Sequence, residues 1–315
     1  MYSLDFGIQI EPQYGFDYGS IEEIALDAEE LGFESIWVSD HFFMTHESIG
    51  TNCLECWTTL TALAQSTTEI RLGPMVSSQS YRNPALMANI AASLDNISGG
   101  RVNYGIGAGW KEVEYRAYGY EYPRALTRIK QLEEAIVIAK GLWTEDKATY
   151  QGQHYEVREA LCYPHSIQEP HIPIWVGGTR THTLRVTAEH ADAVNFAWTI
   201  PPDRFEDRLK VLLGHCDEVG RNYDEIKKSA GVMITMAPDR AKLEEKLERQ
   251  RENRDTPYRR YLSKQPPNMI GTPDEVAEGI ETYKGLGVDH FILRFNFGGE
   301  LESMRLFMDE VYPAI

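Results

Sequence analysis

The sequence has no long uninterrupted apolar run, although 42% of its 315 residues are hydrophobic. A membrane-spanning helix needs about 18 or more consecutive apolar residues, so we expect no membrane span. The first residues alternate between apolar and polar side chains and therefore lack the basic and apolar regions of a signal peptide. These absences predict a soluble protein that stays in the cytoplasm.

Positive charge is also scarce, because 31 Lys and Arg residues stand against 48 Asp and Glu residues. The resulting net charge of −17 would repel a phosphate backbone, and no basic stripe offsets that repulsion. We therefore expect no nucleic-acid partner. An anionic ligand would need a local pocket of backbone N–H groups with a few Arg or Lys side chains.

The four cysteines, Cys53, Cys56, Cys162 and Cys216, are too few for a disulfide framework in a chain of this length. Their scarcity is typical of a reducing compartment. Cys53 and Cys56 form a C-x-x-C pair, but no second pair follows and no histidine lies at zinc-ligand spacing. We therefore predict no metal site.

What the sequence does contain is a regular alternation of strand and helix patterns. Eight apolar runs predict buried strands: Leu4–Ile10, Phe33–Val38, Ile70–Val76, Val102–Ile106, Ile174–Val176, Ala193–Phe196, Ala230–Met236 and His290–Phe295. Eight such units in about 300 residues favour a (β/α)₈ barrel, the TIM-barrel fold of the α/β class. An open doubly wound sheet remains the alternative. We assign residues 1–315 to a single domain.

Two segments interrupt the alternation and predict insertions into the barrel. Residues 147–163 indicate a β-hairpin with a Gln-Gly turn at 151–152. Residues 239–268 form a charged stretch that indicates a helix and a loop. This stretch is either a water-facing surface or an arm over the active-site mouth. In the second case three basic side chains could meet an anionic ligand: Arg259, Arg260 and Lys264.

Barrel enzymes carry their chemistry on the loops that follow the strands, so the residues just after each strand are informative. Asp40 and His41 follow the second predicted strand. A carboxylate beside a histidine can hold a neutral imidazole in one tautomer and suit it to general base work near neutral pH. The alternative is an acid that caps the next loop beside an ordinary histidine.

Glycines mark the ends of the fourth and fifth predicted strands. The run Gly105 to Gly109 has the spacing G-x-G-x-G and no acid-ending strand after it, so it is not a dinucleotide fingerprint. It suggests instead a flat ligand lying against the backbone. Gly177, Gly178 and Thr179 precede a helical pattern and can offer N–H groups to a phosphate. A tight turn without a ligand is the alternative for this loop.

With these motifs the sequence resembles the luciferase-like family of flavin- and F420-dependent oxidoreductases over nearly its whole length. The F420-dependent branch is the most similar. The matching segments share the order and spacing of that family: LGFESIWVSDHF at 31–42, IRLG at 70–73, RNP at 82–84, SGGRV at 98–102, GIGAGW at 105–110 and IWVGG at 174–178.

The resemblance implies a (β/α)₈ barrel with insertions, usually a homodimer, that binds FMN or the deazaflavin F420 over the strand ends and acts on a small-molecule substrate. It also implies that His41 gives or takes a proton and that a non-prolyl cis peptide at Met75-Val76 supports the cofactor ring. The cofactor-binding residues would be Asp40, Met75, Val76, Ser77, Ser78, Gly107, Ala108, Gly109, Trp110, Gly177, Gly178, Thr179 and Arg180.

One departure from the family pattern affects the mechanism. The sugar-phosphate dehydrogenases of the F420-dependent branch carry a catalytic Glu directly after the glycine run, where this chain has Trp110. Glu112 and Glu114 are nearby but are expected to begin the next helix. The sugar-phosphate substrate and its acid-base scheme therefore do not transfer, and we expect Trp110 to form a wall of the pocket.

Three hypotheses for the function follow. The first is hydride transfer between F420 and an unidentified organic substrate, with His41 as the catalytic residue. The second is an FMN-dependent monooxygenase that receives reduced flavin from a separate reductase. The third is a barrel that binds the cofactor without turning over a substrate, since a fold does not determine a reaction.

Overall fold

Parallel β-strands form the centre of the molecule, and most of their side chains are buried. The computed structural model describes residues 4–198, 200–252 and 267–315. Its strands are β1 (Asp5–Ile10), β2 (Ser35–Val38), β3 (Arg71–Pro74), β4 (Ser77–Ser78), β5 (Tyr104–Gly107), β6 (Ala148–Gln151), β7 (Glu156–Ala160), β8 (Ile174–Gly177), β9 (Ala193–Phe196), β10 (Lys227–Met236), β11 (Met269–Gly271) and β12 (His290–Arg294).

The central sheet runs in the order β3-β2-β1-β12-β10-β9-β8-β5-β4, with every pairing parallel. The sheet curls until β3 meets the chain just before β5, where Leu72 and Val102 form a parallel bridge. β3 and β4 are one barrel strand interrupted at Met75 and Val76. Within the described residues the strands therefore occupy the eight barrel positions that the sequence predicts, and β11 pairs with β10 beside them.

Helices connect the barrel strands. They are α1 (Tyr18–Glu30), α2 (Cys56–Ser66), α3 (Pro84–Ser98), α4 (Glu112–Ala117), α5 (Ala125–Thr144), α6 (Thr181–His190), α7 (Pro202–Val219), α8 (Arg240–Glu252), α9 (Pro273–Lys284) and α10 (Glu300–Leu306). Among the described residues, none of these helices is both long and apolar enough to cross a membrane.

The first predicted insertion is present as the antiparallel hairpin of β6 and β7. Its turn is closed by a hydrogen bond of 2.9 Å from the Gly152 N–H to the Tyr155 carbonyl oxygen. The second predicted insertion is helical over α8. The three basic residues proposed for an arm, Arg259, Arg260 and Lys264, lie outside the described residues.

Two tryptophans fill the inside of the barrel. The rings of Trp37 and Trp175 lie 4.8 Å apart, and both side chains are almost fully buried. Glycines on neighbouring strands leave room for them, because a Cβ atom on Gly7 or Gly73 would lie 2.7 Å from an atom of Trp37. These two side chains pack together inside the barrel, and among the described residues a cavity lies at the carboxyl ends of the strands.

Candidate active site

A cavity of about 520 Å³ opens at the carboxyl ends of the barrel strands. All fourteen site residues proposed from the sequence line it: Asp40 and His41 after β2, Met75 to Ser78 between β3 and the end of β4, Gly107 to Trp110 at the end of β5, and Gly177 to Arg180 at the end of β8. Nine lining residues were not proposed from the sequence: Glu11, Ser39, Tyr81, Lys111, Thr183, Asn195, Ala197, Trp198 and Arg294.

The side chain of His41 is held by Glu114, which lies on α4. Nδ1 of His41 is 2.8 Å from Oε2 of Glu114. The His41 side chain keeps 20% of its surface exposed, whereas that of Glu114 is fully buried. Nε2 of His41 has no hydrogen-bond partner among the residues that the structure describes. It is therefore the ring nitrogen that a ligand in the cavity can reach.

Glu114 is an ionised carboxylate. It accepts hydrogen bonds from four groups besides His41: the backbone N–H of Phe42 (2.8 Å) and of Phe43 (3.2 Å), the Lys111 ammonium (3.0 Å) and the Tyr81 hydroxyl (3.1 Å). Burial alone would raise the pKa of Glu114, but the hydrogen bond and charge of His41 and the charge of Lys111 lower it to about 2. An ionised carboxylate can only accept hydrogen bonds, so the proton between the two side chains is on Nδ1 of His41.

Asp40 does not hold His41, contrary to the expectation from their adjacency. Its carboxylate forms a bidentate ion pair with Arg82, in which the nitrogen-oxygen distances are 2.7 and 2.9 Å. Arg82 also contacts Glu55, the N-cap residue of α2. The Asp40 carboxylate is thus held by two hydrogen bonds from Arg82 and not by the imidazole of His41. Asp40 still lines the cavity, although its side chain is almost fully buried.

The peptide bond between Met75 and Val76 is cis, as the family resemblance predicted. Val76 reaches over the glycines of the neighbouring strands. A Cβ atom on Gly107 or on Gly177 would lie 2.8 or 2.9 Å from carbon atoms of the Val76 side chain. On its Cβ side, Gly107 therefore makes room for the side chain of Val76, while the residue still lines the cavity.

Two tryptophans and an ion pair form side walls of the cavity. The ring of Trp110 is 60% exposed and stands nearly perpendicular to the His41 ring at 5.6 Å. The Arg294 guanidinium lies 4.8 Å from the Trp198 ring and 3.1 Å from Oε1 of Glu11. One wall is thus apolar and adjoins His41, while the other carries a buried, paired cation.

The start of α6 offers backbone N–H groups to an anion. Its N-cap residue, Arg180, makes no side-chain hydrogen bond to the first turn. The N–H groups of that turn have no intrahelical partners and carry the positive end of the helix dipole. The Gly178 N–H is already used, because it donates to the Asn195 carbonyl oxygen at 3.2 Å. The Gly178 N–H is therefore not free for an anion, whereas the first turn of α6 keeps N–H groups without intrahelical partners.

Sequence comparison assigns the chain to a family. A model of the luciferase-like monooxygenase family matches residues 2–290. The chain belongs to this family. It is 27% identical to an F420-dependent glucose-6-phosphate dehydrogenase of Microbacterium testaceum, over 98% of this chain and 94% of that protein. It is 30% identical to a 5,10-methylenetetrahydromethanopterin reductase of Archaeoglobus fulgidus, over 76% of this chain and 66% of that protein.

Solved structures of the luciferase-like family have the same fold. An F420-dependent secondary alcohol dehydrogenase, solved with an F420-acetone adduct, superposes with a TM-score of 0.80 at 20% identity and covers 99% of both chains. A long-chain alkane monooxygenase superposes with a TM-score of 0.84 at 14% identity, over 99% of this chain and 91% of that one. These structures confirm the predicted barrel fold, and the named enzyme relatives confirm the prediction that the chain is an enzyme.

Glu114 is the main site residue that the sequence analysis missed. The luciferase-like resemblance drew attention to the position directly after the glycine run, where Trp110 stands, and Glu114 was assigned only to a helix start. It does lie in the first turn of α4, yet it reaches the loop that follows β2. Its spacing from Lys111 was a usable signal, because residues three apart on a helix turn share a face.

Proposed function

We propose that this chain is an F420-dependent oxidoreductase that moves hydride between the deazaflavin and an organic substrate, while His41 moves a proton. The observation that carries the proposal is the His41–Glu114 pair at the cavity, where a buried carboxylate holds the imidazole with Nε2 available to a ligand. The Microbacterium testaceum relative supports the choice of cofactor, because its name describes it as F420-dependent.

The residues of the cavity fit such a cofactor. Thr179, Arg180 and the first turn of α6 would hold its phosphate, because these groups supply N–H donors and one positive charge. The bulge at Met75-Val76 and the chain from Ala108 to Trp110 would border its ring. F420, when bound, supplies the two-electron hydride chemistry, which no amino-acid side chain offers.

The protein's own part in the reaction is proton transfer and orientation. With Nδ1 protonated and held by Glu114, Nε2 of His41 can accept a proton from a substrate alcohol or, once protonated, return it to a carbonyl oxygen. The ionised Glu114 stabilises the imidazolium that exists while Nε2 of His41 carries the proton. Trp110, beside His41, would help to exclude water from the reacting groups.

An FMN-dependent monooxygenase is the second candidate. It is favoured by the family assignment itself and by the fold shared with the alkane monooxygenase. The start of α6 does not discriminate between the cofactors, because FMN and F420 both carry a phosphate. A cofactor-binding barrel without turnover is the third candidate.

Titration of the purified protein with F420, reduced F420 and FMN separates these candidates. The proposal predicts that F420 binds at least about tenfold more tightly than FMN, which corresponds to roughly 1.4 kcal/mol. Tight FMN binding without F420 binding would favour the monooxygenase. Binding of F420 without hydride transfer to any member of a broad panel of alcohols, aldehydes and enones would favour the barrel without turnover.

Assembly and location are separate proposals that the family resemblance suggests. We propose a homodimer, which sedimentation of the purified protein tests directly. We also propose a cytoplasmic location, which cell fractionation tests.

A further inference from the structure

Trp110 presents its ring to the cavity from a backbone that is held in place. Its carbonyl oxygen accepts hydrogen bonds from the Glu112 N–H at 3.0 Å and from the Tyr122 hydroxyl at 2.8 Å. Arg128 donates to the Gly109 carbonyl oxygen at 3.2 Å, and its guanidinium lies 3.9 Å from the centre of the Tyr122 ring. The loop is therefore fixed by several contacts, although the indole itself is largely exposed.

The exposed indole stands beside the nitrogen that the proposed function uses for proton transfer. Its ring is nearly perpendicular to that of His41, with 5.6 Å between the ring centres, and both residues line the cavity. A substrate hydroxyl that donates to Nε2 of His41 places the groups on its carbinol carbon within reach of the indole. An aromatic group gains most in that position, because aromatic pairs attract each other beyond the area that they bury.

Two cations that line the cavity are already paired. The Lys111 ammonium donates to Oε1 of Glu114 at 3.0 Å and to the Phe43 carbonyl oxygen. The Arg294 guanidinium donates to Oε1 of Glu11 at 3.1 Å. Both cationic side chains are less than a tenth exposed. An anionic substrate could bind either of them only by displacing its carboxylate, which would then stay buried without a partner.

Arg180 is the third cation that lines the cavity among the described residues. It is exposed at the start of α6, where the proposed function assigns it to the phosphate of the cofactor. The carboxylate next to His41 in sequence is also occupied, because both oxygens of Asp40 pair with Arg82. The charges around His41 are therefore balanced within the described part of the chain, and this balance favours a substrate without a charge of its own.

We propose that the substrate is an uncharged alcohol, or the matching carbonyl compound, with an aromatic ring next to the reacting carbon, and that Trp110 binds this ring. The inference rests on the proposed function for the hydride acceptor and for the role of His41. In oxidation the carbinol C–H bond breaks, and the hydrogen leaves with its electron pair to the oxidised deazaflavin. The O–H proton passes to Nε2 of His41, and the C=O double bond forms.

The test uses three related alcohols and measures binding instead of turnover. 1-Phenylethanol carries the ring, 2-propanol has a methyl group in place of the ring, and mandelate has a carboxylate in place of the methyl group of 1-phenylethanol. Each is titrated without oxygen into the complex with reduced cofactor, which cannot oxidise an alcohol, and the nitrogen-15 signals of the His41 ring report binding. We expect 1-phenylethanol to bind at least about tenfold more tightly than either of the others.

Variants then assign the preference for the ring to the indole. Trp110→Ala should bind 1-phenylethanol and 2-propanol with affinities within about threefold of each other, whereas Trp110→Phe should keep most of the preference. The matched control is Leu161→Ala, which shortens an apolar side chain that is 62% exposed, against 60% for Trp110, and does not line the cavity. This control should keep the full preference.

The outcomes separate this inference from the proposed function. If FMN binds instead of F420, the proposed function fails, while the same titration with reduced FMN still decides the inference. If neither cofactor binds, the proposed function fails and titration of the protein alone decides. The inference alone is overturned if mandelate or 2-propanol binds as tightly as 1-phenylethanol, if 1-phenylethanol does not bind, or if the preference for the ring persists in Trp110→Ala.

Discussion

Replacing Glu114 with Gln tests the arrangement at the centre of the site. The amide has the size of the carboxylate but carries no charge and places an N–H₂ group where one oxygen stands. That group would donate to Nδ1 of His41, so the ring would have to carry its proton on Nε2 instead. Nitrogen-15 spectra of the imidazole ring distinguish these two tautomers and require neither cofactor nor substrate.

The same substitution should lower stability by an amount that the pKa of Glu114 indicates. A pKa of about 2, against 4.5 for the free side chain, corresponds to about 3 kcal/mol of stabilisation at neutral pH. Urea unfolding at pH 7 measures this difference. The control is Glu112→Gln on the same helix, where a half-exposed carboxylate pairs with an exposed Arg116 and should contribute less than about 1 kcal/mol.

The contribution of Glu114 to the free energy of unfolding should depend on pH in a defined direction. Because folding lowers the pKa of Glu114, its contribution is fully present above about pH 4.5 and is lost as the pH falls towards 2. The stability difference between wild type and Glu114→Gln should therefore shrink over that interval. A difference that stays constant down to pH 3, or a variant that keeps the wild-type tautomer, would refute the assignment of Glu114 as the ionised partner of His41.

Three further predictions concern proton transfer, the anion site and packing. His41→Ala should slow single-turnover oxidation of reduced cofactor by an activated enone about 10²- to 10⁴-fold, while cofactor affinity changes little. A variant that keeps the wild-type rate across the pH range would show that another group or water transfers the proton. Arg180→Ala should weaken FMN binding about fivefold and leave riboflavin binding unchanged, because riboflavin lacks the phosphate; equal losses would move the anion site elsewhere. Gly109→Ala should destabilise the fold by roughly 3 kcal/mol, since its Cβ would lie 1.8 Å from the Tyr115 hydroxyl. Gly119→Ala, at a similar φ but in open space, should lose only about 1 kcal/mol in the same urea assay, and equal losses would contradict the packing argument.

The barrel could be predicted from the sequence because each of its units is a local pattern. Buried parallel strands appear as short apolar runs, and the intervening helices show their own periodicity, so neither depends on distant contacts. The ends of the strands were less predictable. The third strand was expected to continue to Val76, but it ends at Pro74 and resumes as β4 at Ser77.

Fourteen residues of the cavity were predicted because they lie at or soon after the end of a strand, since barrel topology gathers those positions at one end. Nine others were missed, although some of them, such as Ser39 and Ala197, also directly follow a strand. The Glu11–Arg294 pair joins the first and last strands, 283 residues apart, and only closure of the barrel brings them together. Asn195 was counted as part of a strand, and only the assembled barrel shows that it lines the cavity.

The pairing of His41 with Glu114 instead of Asp40 follows from what each carboxylate contacts. Arg82 holds both oxygens of Asp40, so the partner of His41 comes from another part of the chain. Glu114 lies in the first turn of α4, 73 residues further along the chain, and its carboxylate reaches Nδ1 of His41. A carboxylate that begins the helix after another barrel strand can therefore hold an imidazole at the cavity in place of the acid that precedes the histidine in sequence.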